Sequence, residues 1–478
     1  MRRKQKELPL LEHIEIVDLA AEGKAIARVS IGKDEKRDFI VFVDNCVPGD
    51  VVDVKVKRKQ KNFMEGIPVK FHRYSETRIE PRCRHFGVCG GCKWQSLPYP
   101  VQLDYKQKQV TDQFRHLGKF EMPEPEEILA SENEYFYRNK LEFTFSDKRW
   151  LISSEIDDGL PKDLDALGFH IPGKFDKVLD IQECFLQPQL SDKIRLAVKK
   201  FAKENGLSFY NLREEKGFLR NLIIRNTLAG EWMVVVSFFY DDKAKREILL
   251  DFIAKEFKEV SSLLYVINPK KNDTLTDLSV SVYKGNGFIA EKMEELEFRI
   301  GPKSFYQTNP EQAYRLYCLA RDYAQLTGNE TVYDLYTGTG TIANFIAKKA
   351  QKVIGIEYVE EAVADARENS KLNGIGNTTF FSGDMKNVLN REFILKNGKP
   401  DVMIIDPPRA GMHPDVVQAV LFAAPQRIVY VSCNAATQAR DIQMLSENYK
   451  LVKFRPVDMF PQTAHVENIA LLERKERD

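Results

Sequence analysis

Long apolar runs are missing from this chain of 478 residues. No segment approaches the roughly 18 consecutive apolar residues that span a bilayer, and the basic stretch 1–10 leads into no apolar signal core. A cytoplasmic protein without a membrane segment is therefore expected. Low-complexity stretches and internal repeats are absent as well. Cysteine is scarce, at 7 residues, and three of these crowd between positions 83 and 92. A reducing compartment disfavours disulfides, so the crowded thiols read as metal ligands or reactive groups. Cys46 and Cys318 read as small core residues. Excess charge is also lacking, with a net of only +1. The balance hides a local bias: Lys55 to Arg84 holds ten Lys or Arg against Glu65, Glu76 and Glu80, a run on which a polyanion could dock.

The length exceeds one ordinary core and predicts about three domains. Residues 1–74 show short alternating runs at 14–17, 25–29, 39–43 and 51–56, separated by Gly or Pro turns such as Val47-Pro48-Gly49-Asp50. A small OB-like barrel that grips oligonucleotides fits this pattern. Residues 75–300 mix Cys-rich loops, the β-rich run 232–239 and the helical run 244–257, an α+β domain of underivable topology. The periodic segment 101–117 predicts a helix that bridges domains and packs on the catalytic one. Over 301–478 apolar strands (331–336, 353–357, 379–381, 402–406, 428–431) alternate with helices such as 360–372. This predicts a parallel α/β sheet of Rossmann-like architecture, with ligands at the carboxyl ends of its strands.

Asp334, Glu357, Asp406 and Cys433 all fall at such ends. Gly338-Thr339-Gly340 opens a helix after the first strand, and a glycine at 338 lets the backbone approach a ligand closely. Glu357, seventeen residues after Gly340, can accept hydrogen bonds from ribose hydroxyls. Gly338 to Ala343 satisfies a dinucleotide fingerprint, so an NAD enzyme competes at this point. Two features favour S-adenosylmethionine: Asp334 can pair with an ammonium but would repel a pyrophosphate, and Asp406-Pro407-Pro408-Arg409 follows in the same half of the chain.

Prolines 407 and 408 stiffen the chain after Asp406 and fix its carboxylate and Arg409 at a pocket rim. Cys433 lies between polar neighbours ahead of a helix whose N-terminal end is expected to lower the thiol's pKa. A thiol and a carboxylate at one site suit methylation of uracil C5, a carbon too electron-poor to attack an electrophile until a thiolate adds at C6. Glu467, in an apolar setting, is the candidate base for the C5 proton. His465 is its rival, since two residues apart on a strand both side chains would share a face. Separately, Cys83, Cys89 and Cys92 with a distant Cys184 offer four thiolates, which by chemistry alone allow zinc or an iron–sulfur cluster. Their neighbours His85, Phe86, Lys93 and Trp94 could stack on or pair with RNA.

Ser304-Phe305-Tyr306-Gln307-Thr308-Asn309, Asp334-Leu335-Tyr336, Asp406-Pro407-Pro408-Arg409, Val431-Ser432-Cys433-Asn434 and Gln462 to Glu467 together resemble the RNA uracil-5-methyltransferase family. The resemblance covers the whole chain, the N-terminal barrel being similar to the TRAM domain of the branch that modifies 23S ribosomal RNA. It implies Cys433 as nucleophile and Glu467 as proton acceptor. It also implies S-adenosylmethionine contacts from Gln307, Tyr336, Glu357, Asp384 and Asp406, and Cys83, Cys89, Cys92 and Cys184 as ligands of a 4Fe-4S cluster. The chain departs from the family at Thr337, where many members have Cys, and at Thr341, where many have Asn. The expected function is RNA (uracil-C5) methylation, on 23S rRNA in preference to tRNA, with RNA as partner and no obligate protein partner. Two rivals are a methyltransferase acting on an exocyclic amine, which needs no thiolate, and a non-enzymatic RNA-binding metalloprotein.

Overall fold

The computed structural model describes residues 8–30, 38–156 and 162–476; most of the basic start lies outside them. No helix among the described residues is long and apolar enough to cross a membrane. The chain divides into two compact units. The first joins Met1–Asp112 to Phe460–Val466, and the second comprises Gln113–Met459 and Glu467–Asp478.

In the first unit, β1 (Leu10–Leu19), β2 (Ala25–Ser30), β3 (Asp38–Val43), β4 (Val51–Lys59) and β5 (Phe63–Arg73) close a barrel in the order β1-β2-β3-β5-β4. The two-residue period of a strand sends Val52, Val54 and Val56 inward against Ala25, Ala27, Val41, Val43 and Met64. Strand β5 is not evident from the sequence because Gly66 and Pro68 interrupt it. Gly66 is needed where the strands cross closely, since a Cβ there would meet Val54 Cγ1 at 2.5 Å. Pro68 sits opposite Val54 beside a register break, where a missing N–H is tolerated. The 47–50 turn is held by Asp50, which accepts from Val47 N–H at 2.8 Å and pairs with Arg78 at 2.8 Å. Arg78, counted above in the basic run, is thereby engaged within the fold.

Trp94 corrects one expectation. It is only 2% exposed and packs with Val47, Leu97 and Ala464, so its ring is core rather than a stacking platform. The late segment is stitched to this core. Gln102 Nε2 donates to Gln462 Oε1 at 3.0 Å, its Oε1 accepts from Gln462 N–H at 2.9 Å, and Gln462 O accepts from the N–H groups of Lys93 and Trp94 at 2.8 and 3.1 Å. The expected bridging helix runs Tyr99–Leu117, and its last turn, in the second unit, brings Phe114 to 4.8 Å from Phe454.

The second unit holds two seven-stranded sheets. One contains β6 (Lys140–Ser146), β7 (Ala166–Ile171), β8 (Lys174–Asp180), β9 (Leu219–Asn226), β10 (Trp232–Phe238), β11 (Val260–Ile267) and β12 (Val280–Lys284), in the order β12-β11-β10-β9-β6-β7-β8. A hairpin of β13 (Ile289–Met293) and β14 (Leu296–Ile300) follows. The other sheet contains β15 (Thr331–Leu335), β16 (Lys352–Glu357), β17 (Thr378–Ser382), β18 (Val402–Ile405), β19 (Arg427–Ser432), β20 (Tyr449–Val457) and β21 (Glu467–Arg474). Its order, β17-β16-β15-β18-β19-β21-β20, reverses direction beside β15, and such a switch point opens a ligand crevice at the carboxyl ends of β15 and β18. The five strands read from the sequence are the parallel ones. The strand expected at Glu467 is β21, which begins at that residue; its antiparallel place between β19 and β20 is not legible in the sequence.

Candidate active site

At the crevice the backbone turns tightly, with positive φ at Tyr336 (65°), Gly338 (55°) and Gly340 (72°). The two glycines do different work. A Cβ on Gly338 would meet nothing within 4 Å, so that face of the loop is open to a ligand, whereas one on Gly340 would strike Ala366 Cβ at 2.7 Å. Gly338 N–H donates to Glu357 Oε2 at 3.0 Å, and Val359 N–H donates to Glu357 Oε1 at 2.9 Å. Asp334 is 1% exposed and accepts from the Thr337 hydroxyl and from Ala343 N–H at 3.1 Å. Its carboxylate thus holds the loop in shape, and Thr337 earns its place by that bond. Thr339 Oγ1 donates to Phe305 O at 3.3 Å, tying the loop to the segment that carries Gln307, whose own carbonyl accepts from Asn139 at 3.0 Å. Asp384 follows β17, caps the next short helix through Lys386 N–H at 3.3 Å, and pairs with Lys386 Nζ at 3.4 Å. The Tyr336 hydroxyl is pushed up to about 12 by burial, then by Asp441, Asp384 and Glu357, which places those acids around it.

Beside this crevice lie Cys433, Glu467, Asp406 and Arg409. Cys433 follows β19, half-buried, and its thiol is pushed up to about 11 by burial and by the charges of Glu467 and Asp406. Arg409 opposes this by its charge and by a hydrogen bond to the thiol. The expected lowering by the helix N-terminus is therefore overturned. The side chain of Asn434 already accepts from Ala436 N–H at 3.1 Å, capping that helix, and desolvation with two nearby carboxylates raises the thiol. Asn434 Nδ2 and Thr437 Oγ1 donate to Arg409 O at 3.0 and 3.2 Å, locking the Asp406–Arg409 loop against the cysteine turn.

Glu467 is 7% exposed and is pushed up to about 8 by burial and then Asp406, against Arg409. Burial also raises Asp406 to about 7, and Asp334 to about 7 with Asp406 adding to it. His465 does not share a face with Glu467: it precedes the strand in a loop and is exposed, so strand alternation does not apply to it. Sequence reasoning missed Tyr317, on the helix Pro310–Ala324. Burial raises its hydroxyl well above the ordinary range, followed by Tyr306, Asp406, Asp334 and Glu467, so it faces the same carboxylates. Its only signal was a place in the stripe Ala313, Leu316, Tyr317, Ala320 and Ala324, which reads as plain core.

These raised carboxyls predict an unusual pH dependence of stability. A carboxyl that titrates higher in the fold than in the unfolded chain favours the folded state while protonated. For Glu467 that advantage is present below about 4.5 and is lost as pH rises toward about 8. The thermal midpoint of the ligand-free protein is expected to fall between pH 5 and 8, and Glu467→Gln is expected to flatten that fall. Calorimetric scans across the range check both; a midpoint that climbs with pH in this window refutes the reading.

Among the cysteines, burial raises the Cys89 thiol above its ordinary value against a hydrogen bond from Gly91 N–H, and the Cys83 charge adds to the rise. A backbone N–H aimed at sulfur suits a thiolate ligand. Cys184 belongs to the second unit, where its N–H donates to Asp192 Oδ2 at 2.9 Å. Cys46 is buried as expected. Cys318 is only half-buried, and Arg321 donates to its sulfur at 3.8 Å.

Comparison with known proteins agrees with this geometry. Residues 286–475 match the family model described as tRNA (Uracil-5-)-methyltransferase. A protein of Bacteroides thetaiotaomicron described as an uncharacterized RNA methyltransferase is 57% identical over 459 residues, covering 95% of this chain and 100% of the relative. A similarly described protein of Chlorobaculum tepidum is 40% identical over 470 residues, covering 97% of each chain. Among solved structures, the Pyrococcus abyssi tRNA (uracil-54, C5)-methyltransferase in complex with S-adenosyl-L-homocysteine superposes with a TM-score of 0.73 at 28% identity, over 96% of this chain and 99% of that one. On the family model over 286–475 together with relatives matched nearly end to end, the chain belongs to the RNA uracil-5-methyltransferase family.

Proposed function

We propose that this protein methylates C5 of a uridine in RNA, 23S ribosomal RNA first among the substrates to test, through a transient bond from Cys433 to uracil C6. One observation carries the reading: Cys433, Glu467, Asp406 and Arg409 act on one another within a single cluster beside the crevice, at the ends of β18 and β19 and the head of β21. S-adenosylmethionine, when bound, supplies an electrophilic methyl group. The chain does the rest. Arg409, bonded to the thiol, stabilises the Cys433 thiolate, which adds to C6 and makes C5 enolate-like. Glu467 removes the C5 proton after methylation, and the thiolate then leaves C6 as the ring regains its double bond. Glu467 must be ionised for its step, and a cation placed beside the buried carboxylates favours that form. Asp334 and Thr337 keep the loop in shape, Gly338 leaves room for a ligand, and Glu357 is available to ribose hydroxyls.

The presence of the barrel does not by itself favour 23S RNA over tRNA. The match to the Pyrococcus abyssi tRNA enzyme covers 96% of this chain, so the barrel region is common to both proteins. This favours tRNA as the second substrate to test. For the cluster, the Gly91 N–H aimed at Cys89 fits a thiolate ligand, and the full set of Cys83, Cys89, Cys92 and Cys184 is what the family likeness implies. The cluster has no part in the steps above, because methyl transfer moves no net electron. The experiment is a tritium-release assay with 23S and tRNA transcripts labelled at uracil C5. Release equal to methyl incorporation is expected on one of them. Methylation without release would sink the C5 reading and favour an exocyclic amine.

A further inference from the structure

The barrel carries a side-chain cluster that methyl transfer leaves unused. One ligating atom each from His13 of β1, Asp53 of β4 and His72 of β5 lies within 4.8 Å of the other two. Asp53 Oδ1 accepts from His13 N–H at 2.9 Å and lies 2.7 Å from His72 Nε2. The imidazoles stack with centroids 3.8 Å apart and planes 24° from parallel.

A strained bulge puts His13 there. Leu11 and Ile16 are both buried although they have opposite parity along β1, and the register against β4 breaks between Leu11 and Ile14. The extra residue turns the chain at His13, whose φ is +54°. A non-glycine residue in that region is strained, and such outliers gather where a side chain has a task. In plain register His13 would point inward with Leu11; instead its side chain is 69% exposed above Asp53 and His72, which are 13% and 18% exposed.

We propose that His13, Asp53 and His72 form a site for a divalent transition metal of the zinc class. Two imidazoles and one carboxylate are a borderline-soft ligand set that suits zinc, nickel or copper and is poor for calcium or magnesium, which want oxygen alone. Tetrahedral zinc with bonds of roughly 2.0–2.1 Å sets its ligand atoms about 3.4 Å apart. The exposed His13 ring reaches this by swinging out of the stack, and the Asp53–His72 contact opens by less than about 1 Å. Three protein ligands leave a fourth position for water or an anionic oxygen.

Cobalt(II) titration of the full-length protein tests the site. A site of nitrogen and oxygen ligands gives weak visible d–d bands without thiolate charge transfer, which separates it from the cysteines. One equivalent of such absorbance is expected, displaceable by zinc, together with a zinc-dependent rise in the thermal midpoint. His13→Gln, at an exposed position, and His72→Gln should each weaken binding at least about tenfold. Absence of the d–d bands, or bands of unchanged strength and affinity in both variants, overturns the assignment.

Discussion

Cys433→Ala protein is expected to transfer no measurable methyl group to RNA, a loss of at least about 10⁴-fold, while still binding S-adenosylmethionine. Uracil C5 has too little electron density to attack an electrophile without the adduct at C6, so no neighbouring group can substitute for the sulfur. Serine should fail as well, because its hydroxyl is far less acidic than a thiol that already sits at about 11 beside Glu467 and Asp406. The half-buried position of Cys433 means that its truncation opens little cavity, and a near-parental thermal midpoint should accompany the lost activity. Methyl incorporation followed alongside cofactor calorimetry checks both. Retained activity would point to an exocyclic amine as the acceptor.

Glu467→Gln is expected to stall with RNA attached. Glutamine keeps the shape of the side chain but cannot take the C5 proton, and without that step the bond from sulfur to C6 does not break. Turnover should fall about 10²- to 10⁴-fold, and a protein–RNA band that survives denaturing electrophoresis should accumulate in the presence of cofactor. Adding Cys433→Ala to the same chain should remove the band. A variant that turns over freely would instead assign proton removal to another group, with Asp406, buried in the same cluster, the first to test.

What could be read from the sequence was local. Strands β15, β16, β18 and β19 are buried on both faces and show as nearly continuous apolar runs, unlike the edge strand β17, and Asp406 and Cys433 are legible because such runs end at them. Long-range packing hid the rest. Gly66 and Pro68 disguise β5, although both are tolerated for reasons set by its partner β4. Trp94 looks like an RNA-stacking ring until Ala464, hundreds of positions away, is seen packed against it. The acidity of Cys433 was misjudged for the same reason. The helix following it is visible in the sequence, while the carboxylates of Glu467 and Asp406 reach it only through tertiary structure.

The short segment Phe460–Val466 belongs to the barrel's unit, yet it is spliced between β20 and β21, directly ahead of Glu467. The barrel unit is consequently no cassette. A chain cut to begin at residue 113 would leave Gln462 without Gln102, Lys93 and Trp94, and a head ended at residue 112 would lack the strip that covers its tryptophan. Exchanging the barrel therefore requires exchanging that strip too, although it is encoded beside β21 rather than with the rest of its unit.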